Sequence, residues 1–222
     1  DLHLSLRRQR QMCIRDRFKT MKLKICGISD IDILQYACEA GVDFVGFIMA
    51  NASPRKISND FLDFLENFNF METSPVFVFV NPTVDEVKKI TTKIKNPILQ
   101  FHGDEADNFC QQFNQPFWKT IRVKNSQSLE AINDFPSADA LLLETFSDNA
   151  YGGTGKVFDW SLLENIKLQS KFILAGGINI KNLNDAISLN PWCIDVNSGV
   201  ESSLALKDKT LIDQVIKIFK NG

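Results

Sequence analysis

The stretch Met21-Lys22-Leu23-Lys24-Ile25-Cys26-Gly27-Ile28 decides how the rest of the chain is read. Leu23 and Ile25 alternate with Lys22 and Lys24, the period-two pattern of a strand about five residues long. The strand ends on the thiol of Cys26, and Gly27 allows a tight backbone turn directly after it. Ser29 or Asp30 then caps a helix. A solitary cysteine is by default a small buried hydrophobe. In a barrel of parallel strands, however, a reactive side chain belongs at a strand's C-terminal end, and Cys26 holds that address.

Downstream, strand-like and helix-like stretches alternate. Helical spacing is predicted over 29–40, with Ile33, Leu34, Ala37 and Cys38 on one face and Gly41 as the stop. A second strand over 43–48 leads to the loop Ser53-Pro54-Arg55-Lys56 and a Phe-rich helix face (Phe61, Leu62, Phe64, Leu65, Phe68). The near-continuous apolar run 75–80 reads as a strand buried on both sides. Asn81-Pro82-Thr83 then starts a helix carrying Val84, Val87 and Ile90. Further strands are predicted over 97–101, 117–123, 138–144, 171–175 and 192–196. The helices between and after them are expected up to about Phe113, over 126–133, from about Asp159, over 179–189 and over 209–219.

Alternation of this kind implies a parallel sheet, because parallel neighbours need a crossover connection. Eight units of about 25 residues match an α/β fold, a single closed (β/α)8 TIM barrel spanning 21–222, at the short end of its size range. The open doubly wound sheet is the alternative, but the first strand lacks the Gly-x-Gly-x-x-Gly turn of dinucleotide folds.

Composition narrows the chemistry. The 222 residues are 44% hydrophobic and 23% charged, an ordinary globular balance. No run approaches the roughly 18 apolar residues of a membrane span. A formal net charge of -2 argues against a nucleic-acid partner. Five cysteines (13, 26, 38, 110 and 193) without a Cys-x-x-Cys pair point to reduced thiols in a cytoplasmic protein, with neither a disulfide framework nor a zinc site. Only His3 and His102 are histidines, so a two-histidine metal site is disfavoured and acid–base work falls to carboxylates, a thiol or lysine. Residues 1–20 differ from the rest: they carry a charge of +4 against -6 for the remainder. An Arg-rich targeting segment has this composition. The expectation adopted is sequence upstream of a natural start at Met21, disordered or loosely attached and outside the fold.

At the strand ends the chain offers Cys26-Gly27, residues 49–55, Asn81, Gln100 and His102, Arg122, Glu144, Gly176-Gly177 and Asn197-Ser198-Gly199. The glycine-rich turns after strands seven and eight run into helices, the usual phosphate seat of barrels. Gly152-Gly153-Thr154-Gly155 is a third small-residue loop without the lysine and Ser/Thr spacing of a nucleotide P-loop, and is expected to cover the site. Arg55 is suited to pair a substrate carboxylate in bidentate fashion, or is an ordinary surface arginine. Glu144 ends an apolar strand, where burial raises a carboxyl's pKa and suits it to general-acid work, or to a structural ion pair. A thiolate base and a carboxylic acid flanking one substrate make an isomerase arrangement.

Seven stretches taken together resemble phosphoribosylanthranilate isomerase, the barrel of the tryptophan pathway. They are Lys24-Ile25-Cys26-Gly27-Ile28, Gly46-Phe47 with Ser53-Pro54-Arg55-Lys56-Ile57, Val78-Phe79-Val80-Asn81, Leu99 through Glu105, Gly152 through Lys156 with Phe158-Asp159-Trp160, Leu174-Ala175-Gly176-Gly177-Ile178, and Asp195 through Glu201. The resemblance implies an Amadori rearrangement of N-(5'-phosphoribosyl)anthranilate, without cofactor or metal. It implies Cys26 as base, a carboxyl at the end of strand six as acid, Arg55 on the anthranilate carboxylate, and the Gly176-Gly177 and Ser198-Gly199 turns on the phosphate. Gln100, His102 and Gly153 are further substrate-binding candidates. The sugar-phosphate substrate is the expected partner, and the assembly a monomer or homodimer. One departure stands out: where the family has Leu-Leu-Asp, this chain has Leu142-Leu143-Glu144, which adds a methylene to the acid. The alternative that follows is a sugar-phosphate-binding barrel catalytically impaired by Glu144. The related barrel indole-glycerol-phosphate synthase would want a strand-end lysine acid and a longer N-terminal helical extension, and neither is evident.

Overall fold

Strand β1 (Lys22–Ile25) pairs in parallel with β2 (Phe44–Ile48) on one side and with β8 (Cys193–Val196) on the other, and this second pairing closes the sheet. Between them run β3 (Ser74–Phe79), β4 (Ile98–Phe101), β5 (Phe117–Val123), β6 (Ala140–Thr145) and β7 (Phe172–Leu174), each parallel to its neighbours in chain order. This computed structural model describes residues 21–146, 157–163 and 171–221. The expected loop 152–155 and the basic stretch 1–20 lie outside the described residues.

The connecting helices form where the apolar spacing placed them. Helix α1 (Ile31–Glu39) is capped by Asp30, whose Oδ1 accepts from Ile33 N at 2.9 Å, and it buries Ile33, Leu34, Ala37 and Cys38. Ser58 caps α2 (Asn59–Leu65), and Thr83 with Glu86 makes a capping box for α3 (Val84–Lys93). Each such cap satisfies an otherwise orphan N–H and is worth about 1 kcal/mol. Helix α4 (Asp107–Gln111) is short. After β5 the crossover is a 3-10 helix, Ser126–Asp134, rather than the expected α-helix; its N-terminus is closed by a capping box of Asn125 and Ser128. A second 3-10 helix, Trp160–Leu163, starts where a helix was expected near Asp159. Helix α5 (Leu183–Ser188) begins four residues later than its pattern suggested. The reason is local: Asn182 Oδ1 accepts from Asn179 N, and both asparagine amides donate to Gly177 O, which holds 179–182 as a turn. A small antiparallel hairpin, β9 (Glu201–Ser203) with β10 (Leu206–Lys207), precedes the last helix, α6 (Lys209–Asn221).

Two apolar clusters hold the barrel. The larger lies between strands and helices, with Leu34, Ile90, Leu183 and Ile212 packed against Ile25, Val45, Phe77 and Leu99. The smaller is inside the barrel. Phe44 of β2 meets Trp118 of β5 edge-on at 4.9 Å, and because β2 and β5 are not neighbours this contact crosses the interior. Trp192 joins both rings, at 5.7 Å and 5.9 Å, and fills the N-terminal end, as layered side chains do in such barrels. The site is therefore left to the opposite end. Cys26, Cys38, Cys110 and Cys193 are buried free thiols, and no helix among the described residues is long and apolar enough to cross a membrane.

Candidate active site

Because strand side chains alternate between faces, Lys24 and Cys26 share one face of the first strand's line, and that face is the barrel interior. In the sequence Lys22 and Lys24 are simply the polar alternates of Leu23 and Ile25. In the structure Lys24 is wholly buried, while Lys22 is partly exposed and pairs with Asp43 at 2.8 Å. Lys24 Nζ donates to Asp195 Oδ2 at 2.7 Å and to Gln100 Oε1 at 2.9 Å, and its charge acts on the Cys26 thiol. Burial alone would lower the Lys24 pKa, but the Asp195 carboxylate and Cys26 outweigh it and raise it above the ordinary value. Burial pushes the Cys26 thiol up, Lys24 opposes that shift, and Asp195 adds to it.

At the C-terminal mouth lies a cavity of about 820 Å³. Among the residues singled out in the sequence, Cys26, Arg55, Gln100, His102, Glu144, Gly176, Gly177 and Ser198 all line it. Gly153 falls outside the described residues. Gly199 does not line the cavity. It is needed for a close approach instead: a Cβ there would stand 2.0 Å from Ile178 O, where the turns after β7 and β8 bridge through Asn179 and Gly199. Gly176 and Gly177 both have left-handed backbone, φ +83 and +71, which a side chain would strain.

Glu144 is buried at the end of β6, with Oε2 2.6 Å from His102 Nε2. The other ring nitrogen, Nδ1, lies 3.2 Å from Gln100 Nε2 and 3.2 Å from Thr120 Oγ1. Gln100 Oε1 is committed to Lys24, so its amide N–H₂ faces the ring and His102 Nδ1 accepts. The ring proton then sits on Nε2.

Arg55 donates from Nε and Nη2 to Glu201 in bidentate fashion, at 2.7 and 2.8 Å, so this edge of its fork is engaged within the protein. Lys207 Nζ joins Glu201 at 2.8 Å and also donates to Asn197 O and Oδ1. Burial alone would raise the Glu201 pKa, but the Arg55 and Lys207 hydrogen bonds outweigh it and bring it to about 2. Lys24, Asp195, Glu201 and Lys207 were not picked out as site residues. Lys24 was legible in principle, since a residue two before a mouth-facing cysteine must face inward.

A closed parallel barrel whose thiol, carboxyl and arginine converge on one cavity at the C-terminal mouth defines a (β/α)8-barrel enzyme. The profile of the family described as N-(5'phosphoribosyl)anthranilate (PRA) isomerase matches residues 23–218, and the chain belongs to that family. A relative in Legionella pneumophila (strain Lens), named N-(5'-phosphoribosyl)anthranilate isomerase, is 38% identical over 199 residues, covering 89% of this chain and 96% of the relative. The crystal structure of phosphoribosyl anthranilate isomerase from Thermotoga maritima superposes with a TM-score of 0.80 at 30% identity, covering 91% of this chain and 100% of that one. A phosphoribosyl anthranilate isomerase in complex with reduced 1-(o-carboxyphenylamino)-1-deoxyribulose 5-phosphate superposes with a TM-score of 0.76 at 29% identity, again covering 91% of this chain and 100% of that one.

Proposed function

We propose that this chain converts N-(5'-phosphoribosyl)anthranilate to 1-(2-carboxyphenylamino)-1-deoxyribulose 5-phosphate, the isomerase step of tryptophan biosynthesis, with Cys26 as base and Glu144 as acid. The observation that carries the role assignment is that Cys26, directly after β1, and Glu144 of β6 face one cavity from different sides, with the Gly176-Gly177 turn on its wall. Family membership, and a relative that binds a reduced form of the product, support the reaction.

The chemistry follows from these positions. Glu144 protonates the ribose ring oxygen as the C1'–O bond breaks, and the anilino nitrogen lone pair forms the Schiff base. Cys26, as thiolate, removes the C2' proton, and the C–H electrons move to give the enolamine. Tautomerisation moves the 2'-hydroxyl proton off and places a proton on C1', so the product is an isomer and no cofactor or metal is required. Positioned acid and base groups of this kind contribute on the order of 10²–10⁴-fold each. The phosphate takes the Gly176-Gly177 turn and Ser198 on the cavity wall, with Gly199 allowing the close approach of the two turns; backbone N–H groups of such turns suit an anion. Arg55, fixed by Glu201, meets the anthranilate carboxylate with its remaining edge. Gln100 and His102 line the same cavity. The catalytic barrel begins at Met21, and free thiols suit a reducing cytoplasm. No observation favours a binding-only barrel, because the longer Glu144 side chain still lines the cavity.

The test is turnover of freshly made substrate, followed by loss of its anthranilate-type fluorescence. Wild type should convert it, and no conversion would overturn the reading. Cys26→Ala should lose on the order of 10²–10⁴-fold in kcat with the fold intact. Near-normal turnover in that variant would remove Cys26 from the role of base.

A further inference from the structure

Lys24 is a buried cation at the β1–β8 seam, two residues before the candidate base and on the same strand face. It pairs across the β1–β8 seam with Asp195, its register partner, at 2.7 Å. It reaches across the interior to Gln100 of β4 at 2.9 Å. Its side chain also shares one narrow space with the thiol. The space above Gly46 of β2 is bounded by both groups: a Cβ placed there would lie 2.6 Å from Cys26 Sγ and 3.0 Å from Lys24 Cε. Gly46 therefore leaves open the room bounded by the thiol and by the last methylene of the Lys24 side chain.

A buried ion pair by itself is weak evidence for anything but a costly structural contact, since desolvation offsets much of its attraction. The third partner changes the argument. An ammonium beside a thiol favours the thiolate, and a carboxylate on the far side of that ammonium weakens the effect. We propose that Lys24 is a positioning residue for the isomerisation: it holds Cys26 in place and favours loss of the thiol proton, with Asp195 moderating it. The other charged groups around Cys26 are Lys207 of β10, which also favours the thiolate, and Arg55 of the loop after β2, paired with Glu201. Lys24 lies nearest the thiol along the chain and shares its strand face. Burial raises the Cys26 pKa, which is the reason a local cation is needed for a proton-abstracting role.

This inference rests on Cys26 being the base, but its test reads the thiol directly and does not depend on turnover. The rate of iodoacetamide alkylation at Cys26, mapped by mass spectrometry of the Cys26 peptide, is followed against pH in the intact protein. Lys24→Met should move the midpoint up, giving about a tenfold lower alkylation rate at a fixed mildly alkaline pH. Asp195→Asn leaves Lys24 charged and relieved of its counter-ion, so it should move the midpoint down and raise the rate. A purely structural seam contact predicts lost stability in both variants and no opposed shifts, and coincident midpoints would overturn the proposal. If Lys24→Met does not fold, Asp195→Asn decides: an unchanged or higher midpoint overturns it. Failure of Cys26→Ala to lose turnover would instead remove the base assignment, while the alkylation result would stand on its own.

Discussion

His102 Nε2 lies 2.6 Å from Glu144 Oε2, and this contact takes up the methylene that Glu144 adds relative to an aspartate at the same position. The longer side chain leans across to β4's end, where His102 receives it. Glu144→Asp should therefore not improve the enzyme. A shorter carboxyl draws back from His102 by about one bond length, and a displacement of about 1 Å costs on the order of 100-fold. Steady-state kcat for the two proteins decides this, and a faster Glu144→Asp enzyme would show that the longer arm is a handicap.

Gln100 orients His102 rather than substrate in the arrangement seen. Lys24 fixes the Gln100 carbonyl, the amide N–H₂ meets His102 Nδ1, and the ring proton is left on Nε2. Gln100→Leu should lower kcat roughly tenfold, the scale of one lost buried hydrogen bond, with KM little changed. The 15N shifts of the His102 ring should move from a single tautomer towards a mixture. A rise in KM with kcat intact and ring shifts unchanged would return Gln100 to the role of substrate ligand.

The sequence readings that succeeded and those that failed have different physical origins. Strand order and helix faces were legible because they depend on local periodicity: Ile33, Leu34, Ala37 and Cys38 occur at helical spacing and are buried together. The 3-10 geometry of Ser126–Asp134 was not, because α and 3-10 turns share nearly the same apolar spacing over so short a stretch. Cys26 and Glu144 were legible from their strand-end addresses. Lys24 was not picked out because an alternating strand normally puts its charges in water, whereas inside a barrel a charge is kept by partners far away in sequence, here Gln100 and Asp195. The Arg55–Glu201 pair was illegible for the same reason, since its members are separated by 146 positions.

Gly46 offers a test of crowding at the thiol that changes no charge. A Cβ on Gly46 would lie 2.6 Å from Cys26 Sγ, so Gly46→Ala must push the sulfur aside. Overpacking of this size costs about 1–3 kcal/mol of stability. The displaced thiol should cost on the order of 100-fold in kcat. Thermal unfolding and kcat measured together separate the two: a folded variant with normal turnover would show that the position of Sγ is not critical.

Glu201 supplies a prediction about acid. Its carboxyl titrates at about 2 in the folded chain against an ordinary value near 4.5, because Arg55 and Lys207 hold it charged against the effect of burial. A depressed carboxylate stabilises the fold fully above its unfolded pKa and loses that contribution as pH falls through the folded one. The window is therefore from about pH 4.5 down to about 2. With solvent screening at the cavity mouth allowed for, the contribution is about 2 kcal/mol at neutral pH. Glu201→Gln lacks the titrating group, so the stability gap between wild type and variant should be near that value at neutrality and close towards zero across the window. Urea denaturation at a series of pH values measures it, and a gap independent of pH would refute the assignment. The same variant loosens the clamp on Arg55, so KM should rise by more than kcat falls. A fall in kcat alone would mean that Arg55 does not meet the substrate carboxylate.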